Sequence, residues 1–177
     1  MIRLKEVAVL AVGVGLAAFV RVQAEHKMPP AQTSSKELEQ VKRLAGTWTG
    51  TSKEAGGETK PVTVEYRVTA AGSAVEERLM IGTPHEMVDM YDDEGGKLAM
   101  THYCALGNHP HMVLKNSDDA HIGLEMGPTM GIDAAKDQHM HALMLEMPDA
   151  SHLTQRWTSY MNGKPGDVVV FTLSRAK

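Results

Sequence analysis

From residue 46 onward, turn-forming clusters break the chain at short, fairly regular intervals. They read "EAGGETKP", "AAG", "GTP", "DDEGG", "GNHP", "NSDD", "PDAS" and "MNGKPGD". Glycine, proline, asparagine and aspartate favour backbone geometries that interrupt helices and strands. The pieces left between the breaks suit strands rather than helices. "VTVEYRV" carries the period: Val62, Val64, Tyr66 and Val68 alternate with Thr63, Glu65 and Arg67, as in a strand with one buried face. Further strands are expected near 46–53, 73–81, 85–92, 97–105, 110–116, 120–126, 138–147, 151–161 and 167–175. Ten strands joined mostly by tight turns make an antiparallel meander, and closing it removes every unpaired edge. The expected fold is all-β: a closed antiparallel up-and-down barrel of about ten strands. The longest interruption, "GPTMGIDAAKD" at 127–137, is expected as a loop or helical turn over one mouth.

One short helix is expected before the strands, from about 35 to 44. Ser34 and Glu37 have capping-box spacing. Leu38, Val41, Leu44 and Ala45 form one stripe, and Gly46 supplies a stop. Residues 25–33, "EHKMPPAQT", hold two prolines and no period, and read as a linker. Residues 1–24 read as a signal peptide. Arg3 and Lys5 give the positive start, Val7 to Val20 is uncharged and mostly apolar, and Val22 and Ala24 are the small residues before a cut. A membrane-spanning helix needs roughly 20 apolar residues, more than this run supplies. The expected organisation is thus a signal peptide (1–24), a linker (25–33) and one barrel domain (34–177), exported to the periplasm or beyond the cell.

Without residues 1–24 the chain carries 15 basic and 21 acidic side chains. That balance argues against nucleic acid, which calls for a basic face. No charge run points to a membrane surface, and no membrane span is expected in the mature chain. The single cysteine, Cys104, excludes an internal disulfide, so stability must come from the core. Methionine reaches 13 residues while aromatics make up only 5%. Such a composition suits an adaptable interior, and thioether is also a soft ligand for Cu(I).

The two ends of the strand region carry a resemblance. "GTW" at Gly46 to Trp48 directly follows the expected helix, and "FTLSR" places Arg175 on the expected last strand. This pattern resembles the calycin group of lipocalins, fatty-acid-binding proteins and their bacterial relatives. The resemblance implies that Arg175 packs across Trp48 and seals one end of the barrel, in a structural role. "GTWTG" also resembles the opening of haem-binding barrels of the nitrobindin type. Those proteins ligate haem through a histidine near the C-terminus. The last histidine here, His152, stands well before the final strand, so that ligand is not carried over. "THYCALGN" resembles strings in secreted bacterial proteins of unknown function, which implies no activity.

"THYCALGNHPHM" and "HMH" concentrate the candidate chemistry. If Leu98 and Met100 face inward, so do His102 and Cys104. His139 and His141 share a face with Leu143 and Leu145. On one reading His102, Cys104, His109, His111, His139 and His141 supply a copper or zinc site, since imidazole and thiolate suit both ions. No His-Glu-x-x-His or Cys-x-x-Cys supports it. On a second reading these are core and turn residues bonded within the barrel, Cys104 being a small core side chain. On a third the lumen holds a small apolar molecule or haem, with His102, Cys104, Tyr66, Met100 and Glu77 among the binding residues. Met80, Met87, Met90, Met126, Met140 and Met144 would then add lining. Glu77 falls in the apolar row of Val75, Leu79 and Ile81, and needs a partner if it faces inward. On a fourth reading, Cys104 forms a thiolate pair with His102 or His139, oriented by a third group. The reading carried forward is an exported barrel enclosing a small ligand. Its alternatives are a structural or interaction barrel with a filled core and, behind it, a metal- or thiol-dependent enzyme.

Overall fold

The computed structural model describes residues 33–177. The signal peptide expected at 1–24, and all but the last residue of the linker expected at 25–33, lie outside them. Ten strands follow one helix in chain order. They are α1 (Lys36–Lys42), β1 (Gly46–Glu54), β2 (Thr59–Thr69), β3 (Ala74–Leu79), β4 (Met87–Glu94), β5 (Lys97–Tyr103), β6 (His111–Ser117), β7 (His121–Met126), β8 (His139–Glu146), β9 (His152–Met161) and β10 (Lys164–Arg175). Each strand pairs antiparallel with its chain neighbours, and β1 pairs with β10 to close the cylinder. The fold is therefore the all-β closed barrel that the turn spacing implies. Residues 127–137 form an irregular loop with turns.

Closure depends on two glycines. At Gly50 a Cβ would stand 2.0 Å from the Thr172 carbonyl oxygen, so only glycine lets β1 and β10 approach. Gly46 has φ +123°, and its missing side chain leaves room for the Arg175 guanidinium. Arg175 lies over Trp48, its Cζ 4.4 Å from the ring centroid. Its Nη1, Nη2 and Nε donate to the carbonyls of Ala45, Arg43 and Ala150 at 2.7, 2.8 and 2.9 Å. The Trp48 indole donates to the Leu44 carbonyl at 2.8 Å. One guanidinium thus ties the last strand to the end of the helix and to the β8–β9 turn.

The helix lies across that same end. Its cap is Ser35, not the expected Ser34: the Ser35 hydroxyl accepts from the Leu38 amide. The capping-box carboxylate has other work. Glu37 is buried and accepts from Ser117 Oγ at 2.6 Å. Ser35 donates through its amide and hydroxyl to Asp93, and Gln40 donates to the Asp118 carbonyl. Leu38, Val41 and Leu44 join the core above Trp48. Every bond that holds the helix reaches a turn or strand end of the closed rim.

Strand alternation holds through most of the barrel. Val62, Val64 and Tyr66 face inward, whereas Val68, beside the closed-rim turn, is 41% exposed. Bulges interrupt the ladder between Leu114 and Asn116 and between Met140 and Ala142. The second bulge matters for the histidines.

Candidate functional site

Four neighbouring strands place polar side chains at one level of the lumen. Tyr66 stands opposite Glu77, Glu77 opposite Asp89, and Asp89 opposite His102. All four are buried, at 2%, 0%, 0% and 1% exposure. Burial of such groups is tolerable only where they bond one another. Tyr91 donates to Glu77 Oε2 at 2.7 Å. Gln155 Nε2 donates to Glu77 Oε1 at 2.5 Å and to the Tyr66 hydroxyl at 2.7 Å. The Trp157 indole donates to Gln155 Oε1 at 3.0 Å. Burial, with Asp89 adding to it, pushes the Glu77 carboxyl up to about 8, so near neutral pH it largely keeps its proton. Burial and the neighbouring Glu77 likewise hold the Tyr66 and Tyr91 hydroxyls well above their ordinary range.

His102 ends this row. Its Nδ1 meets Asp89 Oδ1 at 2.5 Å, and its ring packs against Trp157 with centroids 4.8 Å apart. Burial works against a charge on the imidazole. The Asp89 carboxylate outweighs that effect, Cys104 adds to it, and the group is pushed up to about 10. Both ring nitrogens then carry protons. Nδ1 donates to Asp89, while Nε2 is buried without a hydrogen-bond partner. An unmet buried donor is costly unless something arrives to accept from it.

His102 borders a cavity of about 460 Å³ that opens at the rim opposite the helix. Its walls are largely apolar: Leu79, Met80, Met87, Met140, Val169 and Phe171. Trp157 and His102 complete the deeper wall, Cys104 borders the cavity from the β5–β6 turn, and Glu54, Glu58, Lys60, His85 and Asp167 stand towards the mouth. The volume falls within the ordinary range for small-molecule sites. Cys104 follows β5, at the start of the turn closed by Gly107 N–H to Cys104 C=O at 2.9 Å. Burial raises its thiol. The adjacent His102 and the Leu106 amide outweigh burial and hold the thiol below its usual value.

Of the residues expected to bind ligand, His102 and Cys104 border the cavity. Tyr66 and Glu77 form the polar layer beneath, and Met100 is packed in the core. Of the expected methionine lining, Met80, Met87 and Met140 border the cavity. The six residues expected as metal ligands do not come together. His111 faces away from the lumen, bonding Thr101 Oγ1 and Glu94, and His109 packs on the exposed Tyr103. The face shared by His139, His141, Leu143 and Leu145 is corrected by the bulge at 140–142. Met140 turns inward there, and the two histidines sit outside beside Tyr160. His139 is buried there, bonded to the Asp137 carbonyl and to His141. Among the described residues no group of three or more His, Cys, Asp or Glu is arranged to hold a metal ion.

Sequence reasoning missed Asp89, Gln155 and Trp157. Their signal was present. Asp89 interrupts the inward row Met87, Asp89, Tyr91, and Gln155 interrupts Leu153, Gln155, Trp157, as Glu77 interrupts its own. Glu77, Asp89 and Gln155 are each a polar residue at an apolar beat, and three such inward breaks imply one shared network.

Fold and site together define a closed antiparallel barrel with a lumen sealed at one end and open at the other. No family model matches the chain, and no curated protein matches it. It is similar to a solved structure of unknown function from the DUF3598 family of Nostoc punctiforme PCC 73102. That likeness has 11% identity and a TM-score of 0.55, over 77% of this chain and 49% of the other. The chain thus spans about half the length of that relative. A redesigned β-barrel aligns over 77% of this chain and 95% of its own, at 12% identity and a TM-score of 0.39. At 11% identity the Nostoc likeness shows the fold alone.

Proposed function

We propose that this is an exported calycin-like barrel that encloses a small, mostly apolar ligand bearing one hydrogen-bond acceptor. The observation that carries the reading is the unpartnered Nε2–H of His102, buried at the wall of an apolar cavity. Apolar walls stabilise the bound molecule by roughly 25 cal/mol per Å² buried, and the imidazolium fixes its orientation. A carboxylate, sulfonate or carbonyl oxygen fits that donor. The Trp48–Arg175 seal supports the calycin-like reading, because it leaves the far rim as the entrance. The leader-like residues 1–24 support export.

Titration of the mature chain with 8-anilinonaphthalene-1-sulfonate tests the binding. Saturable fluorescence enhancement is expected, and His102→Gln should weaken it about tenfold, the worth of one charge-assisted bond. Affinity should hold between pH 7 and 9 and fall above about 10, where His102 loses its proton. Absence of saturable binding by the folded protein, together with no co-purified molecule in native mass spectrometry, would leave the filled interaction barrel. For export, the intact mass of the protein recovered outside the cytoplasm should correspond to a chain starting at Glu25; a full-length mass there would refute the cleavage.

A further inference from the structure

A nucleophile, Cys104, and a proton donor, His102, line the same cavity. Asp89 fixes the His102 ring through Nδ1, Nε2 is buried and unpartnered, and Cys104 borders the same space two residues on. Cys104 is half-buried and is one of the residues lining the cavity. An orienting carboxylate, an imidazole and a thiol are the parts of an activated cysteine. We infer that Cys104 adds covalently to apolar α,β-unsaturated carbonyl compounds that enter the barrel, with His102 as the proton donor. This deepens the ligand-binding reading and rests on it.

The ligand class follows from what the cavity offers. Acyl transfer would need a second set of donors for a tetrahedral oxyanion and a route for deacylating water. Conjugate addition needs one nucleophile and one proton. The thiolate sulfur bonds to the β-carbon, and the C=C π pair moves to the α-carbon and carbonyl as an enolate. His102 Nε2–H then supplies the proton, leaving a neutral imidazole still bonded to Asp89 through Nδ1. The net change is addition of S–H across the double bond, with no oxidant or reductant. The apolar wall accommodates the hydrocarbon chain of the electrophile. Asp89 and Glu77 face the pair from beneath, and Glu54, Glu58, Lys60, His85 and Asp167 stand nearer the mouth. Asp89, bonded through Nδ1, and Cys104 are the ionisable groups that act on His102.

The probe is oct-1-en-3-one, added to the mature protein and followed by intact-mass and peptide mass spectrometry. One adduct on Cys104 is expected, absent in Cys104→Ser. At pH 6 the second-order rate should exceed that of N-acetylcysteine by about tenfold, with a pH–rate midpoint below the free-thiol value of about 8.5. Asp89→Asn should slow the reaction about tenfold and return the midpoint to the ordinary thiol range. A wild-type rate equal to that of the free thiol, adducts confined to lysines or other histidines, or an unmoved midpoint in folded Asp89→Asn would overturn the inference. If Asp89→Asn does not fold, the wild-type profile decides alone. Ordinary Cys104 kinetics with intact anilinonaphthalene sulfonate binding defeats only the covalent step, whereas loss of that binding defeats the ligand reading beneath it.

Discussion

Glu77 shows how a single side chain sets a pH response. Its carboxyl is raised in the folded state to about 8, from an ordinary 4.5. A raised group stabilises the fold fully below its unfolded value, and that contribution is lost as pH rises through the folded value. For Glu77 the window runs from about 4.5 to about 8. His102, raised to about 10, acts in the same direction between about 6.5 and 10. Exposed carboxylates with lowered values, such as Asp118, Asp149 and Glu86, act oppositely and only in acid. Thermal stability should therefore decline from about pH 5 to pH 10. Glu77→Gln, which keeps an acceptor for Gln155 and requires the Tyr91 hydroxyl to accept instead of donate, should remove the lower half of that decline. An unchanged profile in Glu77→Gln would show that other groups set it. Sequence made the oddity of Glu77 plain, since a carboxylate on an apolar beat needs a partner. It could not show that the partners are Tyr91 and Gln155: Tyr91 comes from the adjoining β4, but Gln155 comes from β9, and only closure of the barrel brings it across the lumen to Glu77.

Among the elements, the seam between β1 and β10 carries the heaviest geometric demand. Gly50→Ala should cost about 3 kcal/mol, because its methyl would meet backbone rather than a yielding side chain. Arg175→Met keeps some cover over Trp48 but loses three charge-assisted bonds. A loss of about 2–4 kcal/mol, or roughly 5–12 °C in melting temperature, is expected by calorimetry. The seam was legible in advance from Gly46-x-Trp48 and the terminal arginine. The faces of β8 were not. A run of apolar residues on both faces gives no alternation to read, and the bulge at 140–142 reverses which residues point inward. That one extra residue separates His139 and His141 from the cavity.

At the scale of the whole molecule, successive hairpin turns fall on alternate ends of the cylinder. The β2–β3, β4–β5, β6–β7 and β8–β9 turns surround the helix, and three of them bond to it or to Arg175 beside it. The β1–β2, β3–β4, β5–β6, β7–β8 and β9–β10 connections ring the cavity mouth and carry no such ties to the helix. Two glycines lengthening the 93–96 turn should lower the melting temperature by several degrees, since Asp93 anchors Ser35. The same insertion at 55–58 should leave melting nearly unchanged and alter probe affinity instead, which scanning calorimetry and dye titration would separate. The fold thus constrains the two rims differently. One can vary in length and composition without disturbing the core, while the other must stay fixed, so a single scaffold of this kind could change what its mouth presents without relearning how to fold.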